Sequence, residues 1–221
     1  RGIRRFSKTA DPVLCVGTRC FISKGATAPA DELTKAQAMG PSNTFGRRAG
    51  ADAAAVAKAT GATVVAIYEI TSWLGSKGVT NLEPMNKGGT IEVRGLRITM
   101  TDARHSSSVD DLTYLGEPAG FVVRLENGQT IYYAGDTALF GDMKMIGELY
   151  RPDIAFLPIG DRFTMGPDTA AVAARWLGVR QVVPMHWGTF PLLTGTPQAL
   201  ETHLEGSGIQ VLTLKPGETA E

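Results

Sequence analysis

Three segments of this chain end apolar runs on groups that can bind a metal ion or move a proton: Ala103-Arg104-His105-Ser106-Ser107-Ser108, Ala134-Gly135-Asp136-Thr137 and Pro184-Met185-His186-Trp187. Neutral imidazole is a borderline ligand and carboxylate a hard one, so two histidines and an aspartate suit zinc, with manganese or iron as alternatives. Each residue also has an ordinary use. A histidine at a strand end can simply pack or hydrogen-bond, and Asp136 could cap the following turn. Their joint position carries more weight, because the chain has only three histidines and two of them fall in equivalent strand-end loops. The third, His203 in ALETHLEG, reads as an exposed helix residue.

Other candidates surround these three. Asp161, in a Gly-Asp loop after an apolar run, could support a ligand histidine or form a turn; Thr137 borders Asp136; Trp187 and Phe190 could wall a pocket beside His186 or pack in the core. Ser106, Ser107 and Ser108 could suggest a histidine-activated nucleophile. No Gly-x-Ser-x-Gly elbow is present, however, and serine runs beside a histidine commonly form loops. Cys15 and Cys20 stand in a Cys-x4-Cys without a second pair and read as ordinary thiols.

These side chains need elements to hold them. From about residue 52 helix-like and strand-like segments alternate with short connections, which is α/β grammar. Asp52 to Thr60 is Ala-rich and helix-favouring, Gly61 ends it, and Ala62 to Tyr68 is a buried-strand run. Leu96 to Thr101 predicts another strand. Gly120 to Ala134 predicts a hairpin turning at Asn127-Gly128, which places Asp136 just beyond a strand end. Asp153 to Pro158 is a further strand, followed by a helix that Pro167 opens and Gly178 closes. Gln181 to Met185 runs into His186; Thr196-Pro197 starts a last helix towards Leu204, and Ile209 to Leu214 supplies a last strand. In open α/β sheets, strand ends facing one crevice collect ligands.

Composition narrows the function classes. The 22 basic and 22 acidic residues cancel, so nothing overall attracts nucleic acid or an acidic membrane surface. No window approaches a membrane span, and RGIRRFSK lacks the apolar stretch of a signal peptide, so the expectation is a cytoplasmic protein, with a homo-oligomer left open.

Several stretches resemble the small bacterial metal-dependent hydrolases of the metallo-β-lactamase superfamily: GATVVAIYEITSWLGSKGVTNLEPMNKGGT, ARHSSS, YLGEPAGFVVRL, IYYAGDTALFGDMKMIGEL, FLPIGDRFTMGPDTAAVAARWL and VVPMHWGTFPLL. The resemblance runs from about Asp52 to Leu214. It implies one domain over residues 1–221, an αββα sandwich with a dinuclear metal site along one edge of its sheets. By the same resemblance His105 binds one metal, His186 the other, and Asp136 bridges the two. Water held between two cations ionises near neutral pH, and the resulting hydroxide would attack an ester, lactone or phosphoester.

The chain also departs from that pattern. The family takes its remaining ligands from a His-x-His-x-Asp-His motif before the helix that starts here at Asp52, where this chain reads Asn43-Thr44-Phe45-Gly46-Arg47-Arg48-Ala49-Gly50. No histidine precedes His105. Up to half of the family's ligand set is therefore missing, which implies one metal ion or none. Codons permitted by RGIRRFS, read from the third nucleotide of Arg1, spell Gly-His-Ser-Ala-Phe-Leu, a family-like string, so a local frame disruption within residues 1–51 is the preferred explanation. The first strands are then expected to be incomplete or disordered. The alternative from a different class is a degenerate, non-catalytic member serving as a ligand- or protein-binding scaffold. A nuclease is disfavoured by the neutral charge balance and the lack of a basic stripe.

Overall fold

The computed structural model describes residues 13–16, 19–22, 49–108 and 113–214. In chain order the elements are β1 (Val13–Val16), β2 (Arg19–Ile22), α1 (Ala49–Thr60), β3 (Thr63–Ile67), α2 (Tyr68–Ser76), β4 (Leu82–Met85), β5 (Thr90–Val93), β6 (Leu96–Asp102), β7 (Ala119–Arg124), β8 (Thr130–Tyr133), α3 (Met143–Tyr150), β9 (Ile154–Pro158), α4 (Pro167–Leu177), β10 (Gln181–Met185), α5 (Pro197–Leu204) and β11 (Gln210–Val211). The chain divides into two compact units. No helix among the described residues is long and apolar enough to cross a membrane.

One unit comprises Arg1–Asn86, Ser107–Glu117 and Leu214–Glu221, and holds a sheet in the order β2-β1-β3-β4. β1 pairs antiparallel with β2, placing Cys15 opposite Cys20, while β3 lies parallel to both β1 and β4. Val64, Val65 and Ala66 of β3 are all fully buried, as a strand shielded on both faces requires, and this explains its unbroken apolar run. Ala53, Val56 and Ala57 of α1 and Ile70, Thr71 and Leu74 of α2 supply further buried side chains. β1 and β2, the first strands, are segments of four residues each. The family-motif gap at 43–48 and the frame reading of residues 1–7 lie outside the described residues.

The other unit comprises Lys87–Ser106 and Pro118–Thr213, and holds a seven-stranded sheet in the order β11-β10-β9-β8-β7-β6-β5. Strands β5 to β8 run antiparallel and β8 to β11 parallel. The turn between β7 and β8 is closed by Leu125 and Gln129, with Gly128 at φ 85°, the positive value expected there. One face is covered by α3, α4 and α5. Ala170, Ala171, Ala173 and Ala174 of α4 are fully buried in a core with Tyr132, Leu157, Val182 and Leu200. α4 opens on Pro167 and ends at Gly178 in the left-handed conformation, as the sequence predicts.

Tyr132 is fully buried in that core, and its hydroxyl makes no hydrogen bond of good geometry although Thr101 lies beside it. Burial pushes its phenol well above the ordinary value of 10.0; the Thr101 contact opposes the rise and the charge of Asp102 adds to it. The folded chain therefore keeps this proton where an unfolded chain loses it. That stabilisation is complete below about pH 10 and declines above it by about 1.4 kcal/mol per pH unit. Urea titrations between roughly pH 9 and 11.5 should show a shallower decline in Tyr132→Phe than in the parent; identical slopes would contradict the assignment.

Candidate functional site

The parallel half of the larger sheet brings the C-terminal ends of β8, β9 and β10 side by side, because β8 pairs in register with β9 and β9 with β10. At the end of β8 the pairing continues for one residue, Ala134 N–H donating to Phe156 O at 3.1 Å. Gly135 then takes φ 71°, a conformation that costs glycine little, and turns Asp136 and Thr137 inward to complete burial. A buried carboxylate needs compensating charge or donors. His186, the residue after β10, supplies an imidazole whose Nε2 lies 3.7 Å from Asp136 Oδ2. His186 sits at φ 55°, left-handed backbone that a non-glycine residue adopts only under strain, and such strain gathers at functional sites.

Thr137 ties the surrounding loops together. Its Oγ1 accepts from Arg104 N–H at 2.8 Å and donates to Ala138 O at 2.8 Å, while its carbonyl accepts from Met165 N–H at 3.1 Å. Ala138 N–H donates back to Arg104 O at 3.0 Å. The residue before His105 is thus fastened on both sides to the loop that carries Asp136. Asp102, at the end of β6, is clamped by Lys87 and by Arg104 Nε at 3.2 Å, which sets the departure of the His105 loop from the strand. His105 is half-buried, and its Nδ1 lies 2.9 Å from Ser106 O. Donation from Nδ1–H to that carbonyl selects the tautomer whose Nε2 carries a free lone pair, the form a metal requires.

The structure thus brings Asp136 and His186 into one pair and fastens the loop of His105 beside the Asp136 loop. Among the described residues no group of three or more His, Cys, Asp or Glu is arranged to hold a metal ion. The donor chemistry of the pair suits a divalent cation, and because a catalytic zinc takes three protein ligands, a metal held here would need one donor beyond the pair. Asp161 is an exposed turn residue at φ 64°, its N–H bonded to Met165 O at 3.0 Å. Trp187 packs against the helix-side core and donates its indole N–H to Pro184 O at 3.2 Å. His203 is exposed on α5, as expected.

Two positioning residues lack a signal of their own in the sequence. A Cβ on Gly160 would collide with the carbonyl oxygen of His186 and stand 3.0 Å from its Nδ1. A Cβ on Gly195 would collide with Ile159 O. The backbones meet there, Gly195 N–H donating to Gly160 O at 3.3 Å and Ile159 N–H to Met185 O at 2.9 Å.

A mixed sheet with an aspartate and a histidine beyond the ends of two strands that flank a third, helices on one face and a second, smaller sheet is the pattern of the metallo-β-lactamase fold. Residues 44–187 match the family model described as Beta-lactamase superfamily domain, and the chain belongs to that superfamily. It is 56% identical over 174 residues to a metal-dependent hydrolase of Rubrobacter xylanophilus, covering 76% of this chain and 72% of the relative. It is 49% identical over 176 residues to a metal-dependent hydrolase of Roseiflexus castenholzii, with coverage of 76% and 72%. Among solved structures, a metallo hydrolase of the archaeon Ignicoccus hospitalis superposes with a TM-score of 0.69 at 38% identity, covering 76% of this chain and 72% of that one. The expected α/β, metallo-β-lactamase-like fold is therefore the fold of this protein, and by family it is an enzyme of the metal-dependent hydrolase type.

Proposed function

We propose that this chain hydrolyses an ester, lactone or phosphoester bond of a small molecule at the Asp136–His186 pair, with His105 joining them around a divalent metal. The observation that carries the reading is a fully buried aspartate 3.7 Å from a histidine held in strained backbone. The relatives' names, metal-dependent hydrolases, support it. Zinc fits the imidazole and carboxylate donors best, manganese or iron less well, and a bound metal would supply a Lewis acid and an acidified water. Asp136 provides the negative charge that holds the cation, His186 a neutral nitrogen, and His105 an Nε2 presented by its bond to Ser106. Thr137 keeps the Asp136 and His105 loops in place.

Zinc binding tests this directly. Calorimetry and elemental analysis should find about one zinc per chain, and His186→Ala should weaken its affinity by more than tenfold. If the parent takes up no zinc, manganese or iron, the chain is better read as a non-catalytic scaffold of the same fold.

A further inference from the structure

On the loops that follow β9 and β10 the molecule exposes apolar surface that its core does not use. Phe163, Phe190 and Leu192 are 48%, 43% and 46% exposed. Phe163 belongs to the loop after β9 and Phe190 and Leu192 to the loop after β10, and the two rings meet with centroids 6.3 Å apart at an interplanar angle of 45°. The Arg162 guanidinium lies 5.7 Å from the Phe163 ring centre and makes no ion pair among the described residues.

These loops are firmly held. Asp161 N–H donates to Met165 O, Met165 N–H to Thr137 O, Leu193 N–H to Phe190 O and Gly195 N–H to Gly160 O. Asp161 and Arg162 both adopt left-handed backbone, at φ 64° and 54°, strain that anchored ends can sustain. Gly160, where an added Cβ would stand 3.0 Å from His186 Nδ1, is three residues from Phe163, so their Cα atoms lie within about 11 Å; Phe190 is four residues beyond His186. That is the span of one small molecule.

We infer that Phe163, Phe190 and Leu192 form the subsite for an aromatic group of the substrate, and that Arg162 attracts an anionic group on the same molecule. The inference rests on the proposed hydrolytic site, of which it names the substrate class: anionic compounds carrying an aromatic ring. A ring edge or face offered by the ligand completes the tilted pair that Phe163 and Phe190 begin. The guanidinium is already stacked, with its N–H groups open to a carboxylate or phosphoryl oxygen.

Calorimetric binding of phenylphosphonate and methylphosphonate tests this without turnover or metal loading. The parent should bind phenylphosphonate about tenfold more tightly than methylphosphonate. Phe163→Ala and Phe190→Ala should each remove most of that preference, and Arg162→Gln should weaken both ligands alike. Both phenylalanines are exposed, so their variants should melt with the parent, which circular dichroism checks. Equal affinity of the parent for both phosphonates, no binding of either, or an undiminished preference in both phenylalanine variants would overturn the subsite. Failure of zinc binding with the aromatic preference intact would instead remove the hydrolytic reading and leave the subsite standing.

Discussion

Asp136→Asn is expected to lower kcat/KM by about a thousandfold or more on whichever of a panel of p-nitrophenyl esters, aryl lactones and bis-p-nitrophenyl phosphate the parent cleaves. Asparagine keeps the shape of the side chain and removes its charge. Asp136 is fully buried, and the sheet that surrounds it is packed by apolar residues that do not depend on that charge. Neutralising a buried carboxylate relieves desolvation as it removes the pairing with His186 at 3.7 Å, so the net stability change should be small. Activity and stability thus separate. Loss of activity at an unchanged melting temperature marks a residue that acts on the metal or substrate, whereas a lowered melting temperature with activity retained would show that Asp136 only caps its turn.

The second large effect is expected at a residue without functional atoms. Gly160→Ala places a methyl group against the carbonyl oxygen of His186, with Nδ1 of that residue at 3.0 Å and Leu193 Cδ2 at 3.1 Å. Neither side can withdraw easily, because Ile159 is bonded to Met185 and Gly160 to Gly195. Overpacking of this kind costs roughly 1–3 kcal/mol. Displacing His186 by an ångström should reduce hydrolysis by about a hundredfold. Gly141→Ala is the control, since nothing lies within 4 Å of its Cβ position and its φ is not positive; it should be neutral. Equal behaviour of the two variants would show that the close approach of β9 to His186 is unimportant.

Much of the fold was legible in the chain. β6, β7, β8, β9, β10, α4 and α5 follow from short apolar runs, from Pro167 and Pro197 at helix starts, and from Gly178 at a helix end. α2, β4, β5 and α3 were not. YEITSWLGS in α2 mixes β-branched residues with Gly75 and has no side-chain cap, so its local signal is that of neither helix nor strand. In β4 and β5 only Met85 and Val93 are buried, which leaves too few inward positions to show a period of two. α3 carries Gly147 mid-helix, a residue that propensity counts against; its place is explained by the backbone of Trp176 and Leu177, against which any Cβ would press.

For the site the division is similar. Residue type and strand-end position were enough to single out His105, Asp136 and His186, because carboxylates and imidazoles that close apolar runs are few in this chain. Their grouping could not be read that way. Asp136 and His186 are fifty residues apart, and they meet only because β8, β9 and β10 pair in parallel register with their C-terminal ends level. The left-handed turn at His186 and the bare Gly160 beside it are consequences of that packing. Local sequence sets which side chains are available and which segments extend or coil; long-range pairing, whose partners no short window contains, sets which of them touch.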